Sequence, residues 1–349
     1  MKTWQLLAPL MGLWAAEAQA APVACPDSDG LHYICGPVAS EDLAQVPGTP
    51  WLISGGLKTN QPGHLYRIDT GTHASEALPI AIRPDPALAK DCPAPLDPSA
   101  TSIDGIGLQP GRNGRSRLYA ANHGGRQAIE MFDVARQGRS LTVTWIGCAP
   151  TPEGTLANSV VPLPDGGIVV SSFYDPRQAD AWERMGRGEP TGSLWEWHAG
   201  RGFTKLDVGP ISGANGLELS RDARTLYVSA WSGHALLAID RRTRQRRTIA
   251  LDFMPDNIKL APDGTLLVAG QATTVGSIAA CNGPVCAQDW VVTRIDPKRG
   301  TVTKLLARKG NATVSYACGA LEVGGTLYIT ARADRRLIAM PLKELPSLR

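Results

Sequence analysis

The sequence predicts an all-β chain closed into a six-bladed β-propeller, and three observations carry that reading. Apolar residues at helical spacing are scarce, while short β-rich runs recur with turn signals between them. A unit repeats along the chain: a loop ending in Gly or Asn, an apolar strand, a Pro-Asp-Gly type turn, a second apolar strand, a polar loop, and a third strand ending in Asp. Six copies at intervals of roughly 40 to 60 residues match propeller blades, sheets that bury their faces only against their neighbours.

The elements run in order along the chain. Lys2, the apolar stretch Leu6 to Ala16 and Ala18-Gln19-Ala20 read as a secretory signal over 1–20, with a mature chain starting near Ala21 and forming one propeller domain over 21–349. No later run reaches the length of a membrane span, so the expectation is a periplasmic or secreted protein without an integral membrane segment. The first repeat begins near Glu41, with Trp51-Leu52-Ile53-Ser54 and Leu65-Tyr66-Arg67-Ile68-Asp69. Others begin at Asp104-Gly105, Asn158, Asn215-Gly216, Asp256-Asn257 and Cys318-Gly319. The segment before Glu41 is expected to supply an outer strand to the last blade, because mixing the two termini removes the weakest seam of the ring. A Pro-rich insertion from Thr72 to Ser102 and a long connection from Asp175 to Gly192 are of a length that often forms lids or binding loops.

A net charge of +3 with interspersed signs gives no field that implies nucleic acid. The one dense basic run, Arg241 to Arg247, reads as a solvated turn and outer strand. Seven cysteines in an exported chain favour disulfides with one thiol left over. Cys281 and Cys286 bracket a short turn-forming loop, Cys25 with Cys35 and Cys92 with Cys148 are compatible with chain order, and Cys318 is then the odd cysteine, expected as a small buried thiol.

In a propeller the innermost strand of every blade starts at one face of the central channel, so the residues opening the repeats share an axis. Those residues are Glu41, Asp104, Asn158, Asn215, Asp256 with Asn257, and Cys318. All but the last offer carboxylate or carboxamide oxygen. Such a set suits calcium, which takes six to eight oxygens, whereas the His and Cys clusters of zinc sites are lacking. Any one Asn or Asp could simply cap a turn; their recurrence in register is what points to a metal. Metal ligands are therefore expected at Glu41, Asn158, Asn215, Asp256 and Asn257. Asp104 could be a base, a further ligand or a turn cap.

The ordered set Ser40-Glu41-Asp42-Leu43, Ile53-Ser54-Gly55-Gly56-Leu57-Lys58, Asn122-His123, Asn215-Gly216 and Asp256-Asn257-Ile258 resembles the paraoxonase and arylesterase family, from about residue 35 to the end. The wider gluconolactonase and regucalcin superfamily shares the propeller and the calcium site and matches less of the first string. The resemblance implies a catalytic calcium on Glu41, Asn158, Asn215, Asp256 and Asn257. It also implies catalytic roles for Asp104 and His123, at the positions of the family's two histidines, although the first of these is Asp here. A second, buried calcium of that family would use Asp42 and a carboxylate whose position is Ser159 in this chain. The family's terminal disulfide has no counterpart after Cys318, so ring closure must differ. The expected activity is calcium-dependent hydrolysis of small-molecule lactones or aryl esters. A sugar-lactone hydrolase of the gluconolactonase kind and a non-catalytic ligand- or protein-binding propeller are the alternatives. Phe173, Tyr174 and Trp231 near the channel lean toward an acyl or aryl group.

Overall fold

The computed structural model describes residues 26–59, 62–281, 287–311, 313–331 and 335–345. Its strands assemble into six sheets arranged as the blades of a propeller. Blade 1 comprises Ser40–Gln45, Trp51–Gly56, Leu65–Asp69 and Ser75–Ala77, and blade 2 comprises Ile103–Pro110, Arg115–Asn122, Ala128–Gln137 and Ser140–Pro150. Blades 3, 4 and 5 start with Ala157–Pro162, Ala214–Leu219 and Met254–Leu260. Blade 6 contains Ala317–Val323, Thr326–Ala331 and Arg336–Pro341, and its outer strand is Tyr33–Cys35, antiparallel to the last of these. The expected closure by the N-terminal segment is therefore found, and it needs no terminal cysteine. Backbone hydrogen bonds carry it, supported by His32, whose ring reaches Asp27 at 2.6 Å and Glu344 at 3.0 Å.

The recurring Asp at the end of the third strand has a local cause. Asp69, Asp240 and Asp296 each turn a carboxylate oxygen back onto two backbone N–H groups just beyond them, as when Asp240 Oδ1 accepts from Arg242 and Thr243. This Asx geometry starts the turn into the outer strand. The Pro-Asp-Gly turns behave as their composition requires: Gly166 and Gly264 hold φ values of 89° and 85°, a region that disfavours a Cβ. Second strands are buried on both faces along most of their length, as in Leu266–Gln271, whereas Arg246–Ala250 is exposed at all but one residue. The basic run thus lies on a turn and an outer strand, as expected.

The segment Thr72–Ser102 is more integrated than an insertion. Ser75–Ala77 completes blade 1, and Ile80–Ile82 adds a fifth strand, parallel to Val143–Trp145, at the edge of blade 2. Farther on, Cys92 is bonded to Cys148 of that blade. Cys35 and Cys281 are also disulfide-bonded, while Cys25 and Cys286, like residues 1–20 that the sequence reads as a signal, lie outside the described residues. Among the described residues no helix is long and apolar enough to cross a membrane.

Candidate metal centre

One structural device recurs in all six blades, at the residues that open the repeats. In the innermost strand of every blade, pairing with the second strand slips by one residue at Glu41, at Asp104-Gly105, at Asn158-Ser159, at Asn215-Gly216, at Asp256-Asn257 and at Cys318. A bulge leaves an extra residue unpaired and re-aims its side chain. Here it turns the opening residue of each blade toward the axis. Glycine after the opening residue lets neighbouring blades close in. A Cβ on Gly105 would sit 2.5 Å from the Asn158 carbonyl oxygen, and one on Gly216 would sit 2.4 Å from that of Asp256.

Glu41, Asn215, Asp256 and Asn257 are all less than 9 % exposed, and they line or adjoin one cavity together with Asn158, Asp104 and His123. The Asn257 amide donates to both carboxylate oxygens of Glu41 at 3.0 Å, across the channel from blade 5 to blade 1. Burial, and then the negative charges of Asp104, Asp256 and Asp42, push the Glu41 carboxyl well above its usual range. The side-chain oxygens of Asn158, Asn215 and Asn257 are buried and accept no hydrogen bond. Unsatisfied buried oxygens are costly and rare. Three of them beside mutually repelling carboxylates make a donor set that a dication would satisfy, and oxygen donors are those calcium takes. These residues fit the expected ion.

Asp104 and His123, both expected beside the metal, are in contact. His123 Nε2 lies 3.0 Å from Asp104 Oδ2, and Nδ1 lies 2.8 Å from Gln127 Oε1. Asp104 is close enough for its charge to raise Glu41, so the imidazole stands one carboxyl away from the candidate metal ligands. Asn122 sets the loop, accepting from the Ser102 and Gly124 amides and donating to Glu130.

Below this layer a lysine is paired with a buried carboxylate. Asp42, fully buried, accepts from the amides of Leu43 and Ile106 at 2.8 and 3.0 Å and from Lys259 Nζ at 2.8 Å. The same ammonium lies 3.4 Å from the Ile106 carbonyl oxygen. Ser159, where the resembling family needs a second carboxylate, accepts a hydrogen bond from Leu217 N. Lys259 thus places a positive charge beside Asp42, and no carboxylate stands at position 159.

Three further features complete the site, of which Gln271 and Trp182 were not anticipated from the sequence. Gln271, buried on the second strand of blade 5, donates to Asp256 Oδ2 at 2.8 Å and to the Ala317 carbonyl at 3.1 Å, while its Oε1 accepts from Trp231 Nε1 at 2.7 Å. It fixes the orientation of a candidate ligand and ties it to the cavity wall. That wall is the second feature. Phe173, Tyr174, Trp182 and Trp231 meet edge to face with ring centroids 5.2 to 6.3 Å apart, and the cavity they border measures about 220 Å³. Trp182 belongs to a short helix, Ala181–Gly186, within the Asp175–Gly192 connection, which thus forms a wall of the site. It packs on a second short helix, Val275–Ala279. Third, Cys318 is 1 % exposed and its sulfur lies with the Glu41 and Asp256 carboxylates.

Known proteins bear on this arrangement. Among solved structures, the fold is similar to a gluconolactonase from Xanthomonas campestris (TM-score 0.55, 17 % identity, 90 % of this chain and 89 % of that one). It is also similar to a luciferin-regenerating enzyme (TM-score 0.55, 14 % identity, 88 % and 92 %) and to the calcium-binding protein regucalcin from Agrobacterium tumefaciens (TM-score 0.52, 13 % identity, 89 % and 93 %). At these identities the likeness speaks for the six-bladed propeller. No curated protein matches the sequence. Residues 98–333, more than half of the chain, match the family described as SMP-30/Gluconolactonase/LRE-like region, and the chain belongs to that family.

Proposed function

We propose that this protein is an exported, calcium-dependent hydrolase of lactones whose aromatic wall receives an acyl or aryl portion of the substrate, with aryl esters as related substrates. The observation that carries the reading is one juxtaposition: three buried, unsatisfied Asn oxygens and two carboxylates adjoin a Trp- and Phe-walled cavity that also contains a His–Asp pair. Membership in a family that includes gluconolactonases favours lactone hydrolysis. The resemblance to paraoxonases favours the same reaction on less polar substrates.

Glu41, Asn158, Asn215, Asp256 and Asn257 would hold the ion. When bound, it supplies positive charge toward the carbonyl oxygen, where negative charge develops as water adds. The chain's own groups handle the proton. Water approaching the carbonyl carbon loses a proton to the Asp104–His123 pair, whose hydrogen bond spreads the charge over carboxyl and imidazole. Gln127 holds the far ring nitrogen and with it the ring plane. The acyl C–O bond then breaks, the same proton returns to the departing oxygen, and a hydroxy acid is released from a lactone, or an alcohol and an acid from an ester. Trp231 and Phe173 exclude water from the apolar side of the cavity, and Gln271 keeps Asp256 from rotating.

The gluconolactonase-type reading rests on the family match and differs in needing polar partners for several hydroxyl groups, which rings supply poorly. Relative turnover of aliphatic lactones, phenyl acetate and gluconolactone by the purified mature chain tests this. Preference for the first two supports the proposal. Preference for gluconolactone would reassign the substrate class, and no turnover of any would leave a ligand-binding propeller.

A further inference from the structure

The sixth opening of the channel presents sulfur where the other five present oxygen. Cys318 is the extra residue of the bulge between Ala317 and Gly319 in blade 6. Its Sγ and the ligand oxygens of Glu41 and Asp256 lie within 4.8 Å of one another, and all three residues are buried. The thiol points its proton at the Tyr316 carbonyl, 3.1 Å away. A second observation marks the same place as built for a ligand. Asn215 and Asn257 are 4 % and 1 % exposed, and each carries a side-chain oxygen that accepts no hydrogen bond.

Ligand softness decides which ions gain from such a set. Calcium binds hard oxygen and draws little from sulfur, whereas zinc and cadmium bind thiolate strongly. We propose that the channel site takes thiophilic dications of the zinc and cadmium class, with Cys318 Sγ as a direct ligand beside Glu41 and Asp256, and holds them through that sulfur more tightly than it holds calcium. The inference rests on the reading that the channel binds a dication. As the metal–sulfur bond forms, the S–H bond breaks and its proton leaves to solvent. No electron is transferred, and no co-reactant is needed.

The test uses the mature chain, stripped with chelator and titrated separately with Ca2+, Cd2+ and Zn2+ by calorimetry, with ultraviolet absorption recorded during the Cd2+ titration. Cd2+ is expected to raise a sulfur-to-metal charge-transfer band that saturates with the calorimetric isotherm and is displaced by excess Zn2+. Loss of an outer-shell partner alone costs about 10–100-fold in metal affinity. Cys318→Ser should therefore abolish the band and weaken Cd2+ by about tenfold or more, while Ca2+ affinity changes by less than about twofold. Cys318→Ala serves if the serine variant fails to fold, and the band in the unaltered chain is decisive by itself. A saturated Cd2+ complex without the band overturns the proposal. So does Cd2+ affinity unchanged in the variant, or a loss of Ca2+ affinity in the same proportion. Ca2+ binding without any thiophilic binding removes this inference alone, whereas failure to bind any of the three ions removes the reading of the metal centre as well.

Discussion

Replacing Lys259 by Met should expose how much of the channel's stability comes from its built-in cation. In the native chain Lys259 Nζ is 2.8 Å from Asp42 Oδ2, with side chains 12 % and 0 % exposed. Glu218 is a second nearby carboxyl, raised above its usual range by burial and held down by Lys259. Removing one partner of a buried pair costs about 3–5 kcal/mol, because the other charge stays behind unpaired. Asp42 retains the Leu43 and Ile106 amides, and Met fills most of the volume of the lysine stem, so the low end applies: about 3 kcal/mol. At about 2 °C per kcal/mol for a large domain, Tm should fall by about 6 °C. Thermal unfolding followed by circular dichroism in chelator measures it. Asp42→Asn combined with Lys259→Met should recover most of the loss, since the orphaned charge is gone. Ca2+ should also stabilise Lys259→Met more than it stabilises the native chain. A single variant within about 1 kcal/mol of native, or a double variant whose losses simply add, would show that the pair does not neutralise the channel.

Other consequences are open to direct measurement. Asp104→Asn should cut turnover by about 10²–10⁴-fold with metal affinity changed far less, which isothermal titration beside steady-state rates would separate; equal loss of both would make Asp104 a ligand and not a base. Gln271→Met removes the amide that donates to Asp256 Oδ2, and metal affinity should weaken by about 10–100-fold in a chelator competition assay. Unchanged affinity would remove Gln271 from the centre. At the ring closure, Asp27 and then Glu344 raise the pKa of His32 above its ordinary value. The stability this adds is present below about pH 6.5 and is lost as pH rises through the raised value. It amounts to at most a few tenths of a kcal/mol at this exposed site. Amide exchange of Tyr33–Cys35, corrected for intrinsic rate, should therefore quicken across that window, and His32→Gln should remove the dependence.

How much of this could be read from the sequence depends on whether a feature repeats. Glu41, Asp104, Asn158, Asn215, Asp256 and Asn257 were visible because each opens a repeat, and propeller symmetry converts equal positions in sequence into one ring in space. The bulges that aim them were not visible, although the glycines at 105 and 216 marked where neighbouring blades close in. Lys259 looked like an ordinary strand residue. It stands two positions after Asn257, and the period of a strand puts both on one face, so the same axis was within reach of that argument. Gln271 gave no such sign. Its contact with Asp256 depends on the pairing of Met254 with Gln271 across two strands of blade 5, a register that composition does not reveal. Trp182 was hidden for a different reason: it sits on a short helix inside an irregular connection, where tertiary packing alone decides what a ring faces.

The proposed function requires that a dication in the channel and the groups around it form a hydrolytic site. Its most direct test is the rate of lactone and phenyl acetate hydrolysis by the mature chain before chelation, after chelation, and after calcium return, with Asp256→Ala beside it. Activity should vanish with the ion, return with it, and be lost in the variant together with metal affinity. Full turnover in metal-free protein, or native turnover in Asp256→Ala, would contradict the claim.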